Sequence, residues 1–179
     1  MLESQIETRL AEDKNLYYLP EFCIVTVYDD NFFVRNDYDI LSQGQRNYLV
    51  KFFQEFGFKQ KSGKLMTDGT ANIHFPKPKY TLALSAYQPM FNAKTSKDLY
   101  AVTPSTFAEV IFYEALEKGI EWGLTQLKLL IETCPYNIEL TRDINYRTPI
   151  EAITKQNFNK LVEYQDKIVR DKFRHKKAL

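Results

Sequence analysis

The chain has 179 residues, of which 44% are hydrophobic and 15% aromatic. This length and composition predict one globular unit with enough apolar area for a core, and they exclude a largely disordered protein. With 24 basic and 23 acidic residues, the net charge is only +1, so overall charge does not indicate a polyanion-binding protein.

The cysteines and the apolar runs predict a location. Cys23 and Cys134 lie far apart in apolar stretches, which is typical of two buried thiols in a reducing compartment. No apolar run reaches the roughly 20 residues that span a bilayer, and the first residues are acidic and amphipathic rather than leader-like. We therefore predict a cytoplasmic protein without a membrane segment.

Charge is distributed in blocks along the chain. Residues 1–39 have a net charge of −6, 40–99 of +6, 100–163 of −3 and 164–179 of +4. Such blocks either neutralise one another in the fold or present surfaces of opposite sign to partners. The sequence leaves both possibilities open.

Two helices are predicted in the N-terminal half. Apolar residues at a spacing of four, with acids in the early turns, predict a short amphipathic helix that ends near Asp13. A second helix is predicted to start at Ser42, because Gln45 three residues later completes a capping box. Aromatic residues follow on one helical face, and Gly57 is the expected terminator.

Short strands are predicted around these helices. Residues 15–20 are interpreted as a connection, and 22–28, apolar on both faces, as a buried strand. Turn residues then predict that 32–35 return as the second strand of a hairpin. Further strands are predicted at 73–75 and 80–87. The expected turns in this region are Ser62-Gly63 and Asp68-Gly69.

The pattern becomes helical after Thr103-Pro104. Helices are predicted over residues 105–118, 122–133 and 149–172, the last with a break near Gln156. Strands followed by helices predict an α+β fold with segregated layers.

The predicted fold is thus a small, largely antiparallel sheet with a packed helix in the N-terminal two thirds, followed by an all-helical C-terminal third. We divide the chain into a sheet region at 1–99 and a helical subdomain at 100–179, and expect them to form one compact unit.

The helical third is similar to ankyrin repeats between residues 111 and 165. Residues 114–119 and 127–132 resemble the two helices of one repeat, and 148–152 (Thr-Pro-Ile-Glu-Ala) resembles the opening motif of the next. The resemblance implies stacked helical pairs that serve protein–protein contact. An unrelated helical hairpin is the alternative.

Catalytic motifs are absent from the sequence: it contains no P-loop, dinucleotide-binding glycine turn, nucleophile elbow or paired Cys-x-x-Cys. His74 is predicted as a structural imidazole in a strand. A group of aspartates could hold a divalent metal or divide acid and base roles, although turn formation accounts for them equally well. These weak metal-site candidates are Asp29, Asp30, Asp37 and Asp39.

A nucleic-acid interpretation depends on two basic stretches. In the first, lysines alternate with Phe and Tyr, a composition that suits phosphate contacts and base stacking. The second is the basic C-terminal tail. The residues proposed for such a surface are Lys59, Lys61, Lys77, Lys79, Arg174 and Lys176.

The leading hypothesis is a non-catalytic binding or regulatory protein without a cofactor, whose partner is another protein. Its predicted contact surface is the helical third around Trp122 and Tyr136, because such rings anchor interfaces when exposed. Nucleic-acid binding is the first alternative, and a metal-dependent hydrolase or nuclease that uses the aspartates is the second.

Overall fold

The structure, a computed structural model, describes residues 4–31, 40–75, 98–144 and 148–179. Its helices are α1 (Ser4–Glu12), α2 (Gln43–Gln54), α3 (Pro104–Lys118), α4 (Ile120–Thr133), α5 (Ile138–Ile144) and α6 (Thr148–Ile168), the last continued by a π-helical turn at Val169–Phe173. Its strands are β1 (Leu16–Leu19), β2 (Ile24–Val27), β3 (Lys59–Ser62), β4 (Leu65–Thr67), β5 (Asn72–His74) and β6 (Leu99–Val102).

The six described strands form one mixed sheet in the order β1-β2-β6-β5-β4-β3. β6 lies inside the sheet and pairs in parallel with both neighbours, whereas the other three pairings are antiparallel. Side chains alternate between the two faces, as the pleat requires. In β6, for example, Leu99 and Ala101 join one apolar cluster, and Tyr100 and Val102 join the other.

These two clusters give the molecule three layers. On one face, sheet residues pack against α1 and α2 through side chains such as Leu10 and Phe53. On the other face they pack against α3, α4, α5 and α6, with Phe107 and Leu127 fully buried. Because strands and C-terminal helices share this second cluster, the sheet buries both faces, and β2 and β6 are buried along their whole length.

Local sequence signals account for the helix starts. The hydroxyl of Ser42 accepts a hydrogen bond from the Gln45 backbone N–H at 3.1 Å, and the Gln45 side chain accepts one from the Ser42 N–H at 2.8 Å. The predicted capping box is therefore confirmed. The Thr103 hydroxyl caps α3 by accepting a hydrogen bond from the Thr106 N–H at 3.2 Å, without a reciprocal side-chain bond. It precedes Pro104, whose missing N–H costs nothing in the first turn.

The α+β class, the five predicted helices (α1, α2, α3, α4 and α6) and the strands β2 and β5 are confirmed, whereas α5 was not predicted. The interpretation of residues 15–20 as a connection was wrong, because β1 forms there as the antiparallel partner of β2. The break expected near Gln156 was also wrong, since α6 is continuous. The strands expected at 32–35 and 80–87 lie outside the described residues. The division at residue 99 stays a prediction, although β6 runs across it.

A short C-terminal tail, residues 174–179, connects the two outer layers. It leaves the π-helical turn after Phe173 on the α6 side of the sheet. At its far end, Leu179 contacts both apolar clusters and lies against Gly44 in the first turn of α2. The tail therefore holds helices from opposite faces of the sheet together.

The close contact of this tail with Gly44 gives a prediction. A Cβ at residue 44 would overlap the carbonyl oxygen of Leu179, so Gly44→Ala should displace the tail and destabilise the protein by about 1–3 kcal/mol. Without the clash, alanine would stabilise a helix by roughly 0.5–1 kcal/mol, so the sign of the change is diagnostic. Urea unfolding and hydrogen exchange of the tail are the measurements.

Gly63→Ala is the matched control, because a Cβ there meets no atom within 4 Å. We expect it to leave tail exchange unchanged and to stabilise the protein by at most about 1 kcal/mol. A stabilised Gly44→Ala variant with normal tail protection would contradict the described packing.

Candidate functional site

The two rings predicted as contact residues have different environments. Trp122 is half-buried, with its ring edge-on to Phe22 at 5.9 Å and the Lys118 ammonium 4.9 Å from its centre. Tyr136 is fully buried, which corrects its assignment to the surface: its ring is part of the core between the sheet and the C-terminal helices. Burial also raises the pKa of its hydroxyl.

The predicted basic residues fall into separate regions. Lys59 and Lys61 are exposed on β3, which is the outermost described strand at one edge of the sheet. Arg174 and Lys176 lie in the tail, near β1 and β2 at the opposite edge. At about 4.8 Å per strand, β3 and β1 are on the order of 24 Å apart. Lys77 and Lys79 lie outside the described residues. The four described residues of this prediction therefore lie in two separate places rather than on one track.

The described aspartates occupy a turn. Asp29 is buried after β2 and accepts a hydrogen bond from the Asn31 N–H at 3.0 Å, which is the turn role that short Asx side chains favour. Asp30 is exposed, and Asp37 and Asp39 lie outside the described residues. Among the described side chains, no group of three or more His, Cys, Asp or Glu is arranged to hold a metal.

A histidine–aspartate pair lies beside Tyr100, on the face of the sheet that packs against α3, α4, α5 and α6. His74 Nε2 is 3.7 Å from Asp98 Oδ2, and the imidazole stacks on Tyr100 with ring centres 4.6 Å apart. Cys23 lies nearby in a left-handed conformation, with φ of 52°. Burial raises the pKa of its thiol, which disfavours the thiolate that a nucleophile requires. The group therefore lacks an activated nucleophile among the described residues.

A basic cleft of about 530 Å³ opens beside the tail. Lys14 precedes β1, and β1 runs antiparallel to β2, so the cleft lies next to the carboxyl end of β2. The carboxyl ends of the strands are the edge at which parallel sheets most often bind ligands. We call it the tail cleft. Its lining residues are Lys14, Glu132, Thr133, Lys172, Phe173, His175 and Lys176.

Lys176 is the most constrained cation of the tail cleft. Its ammonium lies 4.1 Å from the ring centre of Tyr28 and 4.7 Å from that of Phe173, and the two rings stack with centres 5.0 Å apart. It donates a hydrogen bond to the Lys14 carbonyl at 3.0 Å. The pKa of Lys176 is lowered by burial and by the positive charge of Lys14, while Cys134 and Asp13 act in the opposite direction.

Among the residues that the structure describes, Glu132 is the one acidic side chain that lines the tail cleft. It accepts a hydrogen bond of 2.6 Å from the Tyr164 hydroxyl and lies 3.7 Å from the Lys172 ammonium. The hydrogen bond, followed by burial and the charge of Glu132, raises the pKa of Tyr164 to about 12. Burial, followed by the charges of Cys134 and Glu132, also raises the pKa of Tyr17 to about 12.

These two tyrosines predict a loss of stability at alkaline pH. An unfolded tyrosine has a pKa near about 10, so the folded state binds the phenolic proton more tightly. The contribution of Tyr17 and Tyr164 to the free energy of unfolding should be constant below pH about 10 and fall as the pH rises towards about 12. Urea unfolding across this range, with tyrosinate absorbance, measures the effect.

Tyr164→Phe should make this alkaline decline shallower, because one of the protons that the folded state binds more tightly is then absent from both states. Tyr113→Phe, which removes an exposed hydroxyl on α3, is the matched control and should leave the slope as it is in the unchanged protein. Equal slopes in all three proteins would refute the assignment.

An exposed apolar patch occupies the end of α3 and the start of α4. The side chains are Tyr113, Leu116 and Ile120, which are 42%, 53% and 37% exposed. Gly119 joins the two helices with φ of 94°, a conformation that favours glycine and lets α4 begin at once. Exposed apolar residues that group in this way are typical of interaction sites.

Sequence reasoning missed most of both sites. The tail was recognised as basic, and this signal included Lys172 and His175, but nothing near Lys14 or Glu132 indicated that they would join it. The apolar patch could have been found, because Leu116 lies among the charged residues that end α3.

No described helix is long and apolar enough to cross a membrane. Comparisons with protein-family models, curated proteins and solved structures find no match to this chain.

Proposed function

We propose that this chain is a non-catalytic binding protein that contacts another protein through the apolar patch of Tyr113, Leu116 and Ile120. The observation that carries the proposal is the exposure of three large apolar side chains in one short segment. Since a folded chain gains free energy by burying such side chains, leaving several exposed together favours a surface that a partner covers.

The acidic residues around the patch indicate the charge that a partner segment should have. Glu114, Glu117 and Glu121 lie in the same segment, while Lys118 pairs with Glu21 at 2.8 Å. The pKa of Glu114 is raised by burial and, against the effect of Lys118, by the charges of Glu117 and Glu21. The negative charges are thus close enough to repel one another. A partner segment with an apolar stripe flanked by Lys or Arg would relieve this repulsion.

The partner we propose is therefore a basic amphipathic helix of another protein, a common form of helix recognition. Trp122, which shares Lys118 with this segment, would lie at the margin of the contact. A regulatory role and a cytoplasmic location belong to the same proposal. The ankyrin-like resemblance agrees with it, but the place of the second helical pair is taken by the single helix α6.

Two synthetic helical peptides test the proposal. One presents leucines on one face and lysines on the other, and the second replaces every lysine with glutamate. We expect the lysine peptide to bind and the glutamate peptide not to, with NMR shifts centred on the patch. Leu116→Asp should weaken binding at least about tenfold, because it places a charge at the centre of the contact.

Leu129→Asp is the matched control. Leu129 is 44% exposed on α4 but lies about 180° around that helix from Ile120, so its replacement should leave binding unchanged. In pull-downs, a protein captured by the unchanged chain should be lost with Leu116→Asp and retained with Leu129→Asp. Binding that both variants lose equally, or that neither loses, would refute the proposed surface.

A further inference from the structure

The tail cleft contains more positive charge than its own residues neutralise. Lys14, Lys172 and Lys176 line it together with His175, and Glu132 is the one acid that the described part of the chain contributes to the lining. Glu132 is also shared, because one of its oxygens accepts the Tyr164 hydroxyl and the other faces Lys172 at 3.7 Å. Three ammonium groups outnumber the two described carboxylates close to them, Glu132 in the lining and Asp13 beside Lys14, and create a positive potential in a concave space.

The position of Lys176 adds to this argument. Desolvating an ammonium is costly, and the nearby rings and the Lys14 carbonyl offset only part of that cost. The carbonyl takes one of its three hydrogens, so the group retains donors for a ligand. A lysine held partly desolvated at the mouth of a cleft, rather than extended into water, is preorganised for an anion.

We propose that the tail cleft binds a phosphorylated small molecule, with Lys14, Lys172 and Lys176 holding the phosphate. A volume of about 530 Å³ is within the usual range for small-molecule sites. Lysine supplies a compact charge with three donors, which suits the several oxygens of a phosphate. This site is separate from the apolar patch, so either proposal can fail without the other.

Nucleic acid fits the described basic residues less well. A single-stranded site needs a groove of cations with exposed rings for stacking. Here Phe173 is only 8% exposed and Tyr28 only 4%, so neither ring offers a free face. The exposed lysines of β3 are on the order of 24 Å away across the sheet, so they do not adjoin the cations of the tail cleft.

Calorimetric titration of the full chain at low salt tests the proposal, with inorganic pyrophosphate as the probe. We expect saturable binding at one site. Lys14→Gln and Lys172→Gln should each weaken it about threefold to tenfold, because each removes one charge–phosphate contact. Both side chains are exposed, so the variants should fold, and thermal melting verifies this. NMR of the Lys176 side chain should report a perturbed ammonium on saturation.

Lys59→Gln and Lys61→Gln are the matched controls, since they remove the same charge from β3. They should leave pyrophosphate affinity unchanged. The proposal is overturned if pyrophosphate shows no saturable binding, or if the control variants weaken it as much as the cleft variants. It is also overturned if a single-stranded oligonucleotide binds more tightly than pyrophosphate and both patches contribute.

Discussion

Replacing Phe107 with alanine is expected to cost about 3–5 kcal/mol of folding free energy. The ring is fully buried between α3 and the sheet, and it meets Tyr17 edge-on with ring centres 5.2 Å apart. Its removal leaves a cavity at the junction of the two layers, where backbone from a helix and a strand cannot both collapse to fill it. Thermal unfolding should show a melting temperature lowered by about 6–20 °C.

Tyr113→Ala provides the comparison on the same helix. It also removes an aromatic ring, but that ring is 42% exposed, so the expected change is within about 0.5 kcal/mol. If the two substitutions cost the same free energy, α3 would not pack on the sheet through Phe107.

Replacing Gln165 with leucine is expected to destabilise the protein by about 2–6 kcal/mol. The Gln165 amide pairs with the main chain of Tyr136 in both directions: it accepts the Tyr136 N–H at 3.1 Å and donates to the Tyr136 carbonyl at 2.9 Å. All of these groups are buried, and leucine has a similar size but no polar atom. Two main-chain groups would then lose their partners away from water. Urea unfolding measures the loss.

Tyr136→Phe is the companion substitution for Gln165→Leu. The Tyr136 hydroxyl is buried and has no hydrogen-bond partner among the described residues. Removing it should therefore change stability by less than about 1 kcal/mol, and stabilisation is an acceptable outcome. A cost as large as that of Gln165→Leu would mean that the hydroxyl, rather than the main chain, is the group that matters in this part of the core.

Helices were predictable because their signals are local. The capping box at Ser42, Pro104 at the start of α3 and the left-handed Gly57 each act within a few residues. The short turns between β3, β4 and β5 were predictable for the same reason. Such signals do not depend on what the rest of the chain does.

The arrangement of the sheet was not predictable in this way. β1 is only four residues long, and its connection to β2, a 3-10 turn at Pro20–Phe22, has no glycine or Asx pair to mark a hairpin. β6 is also only four residues long. Both are strands because β2 lies between them and pairs with each, which is a tertiary effect. Tyr136 was assigned to the surface for a related reason: its burial depends on α6, far along the chain.

The tail cleft shows the same limit for a site. Lys14 and Lys176 are separated by most of the sequence, and they meet because the tail crosses the carboxyl end of β2. The charge blocks predicted a basic tail, but only the fold brings Lys14, from the connection between α1 and β1, to that tail. Pairing of distant charges is decided by topology, which residue spacing does not encode.

The late position of β6 in the chain has a consequence for biosynthesis. Its two neighbours, β2 and β5, are both translated earlier, yet neither can complete its hydrogen bonding until residues 99–102 leave the ribosome. A nascent chain that stalls before this point would present two open strand edges, the state in which chains most readily join one another. Truncation before residue 99 also removes the helices that cover one face of the sheet, and we therefore expect it to yield aggregates.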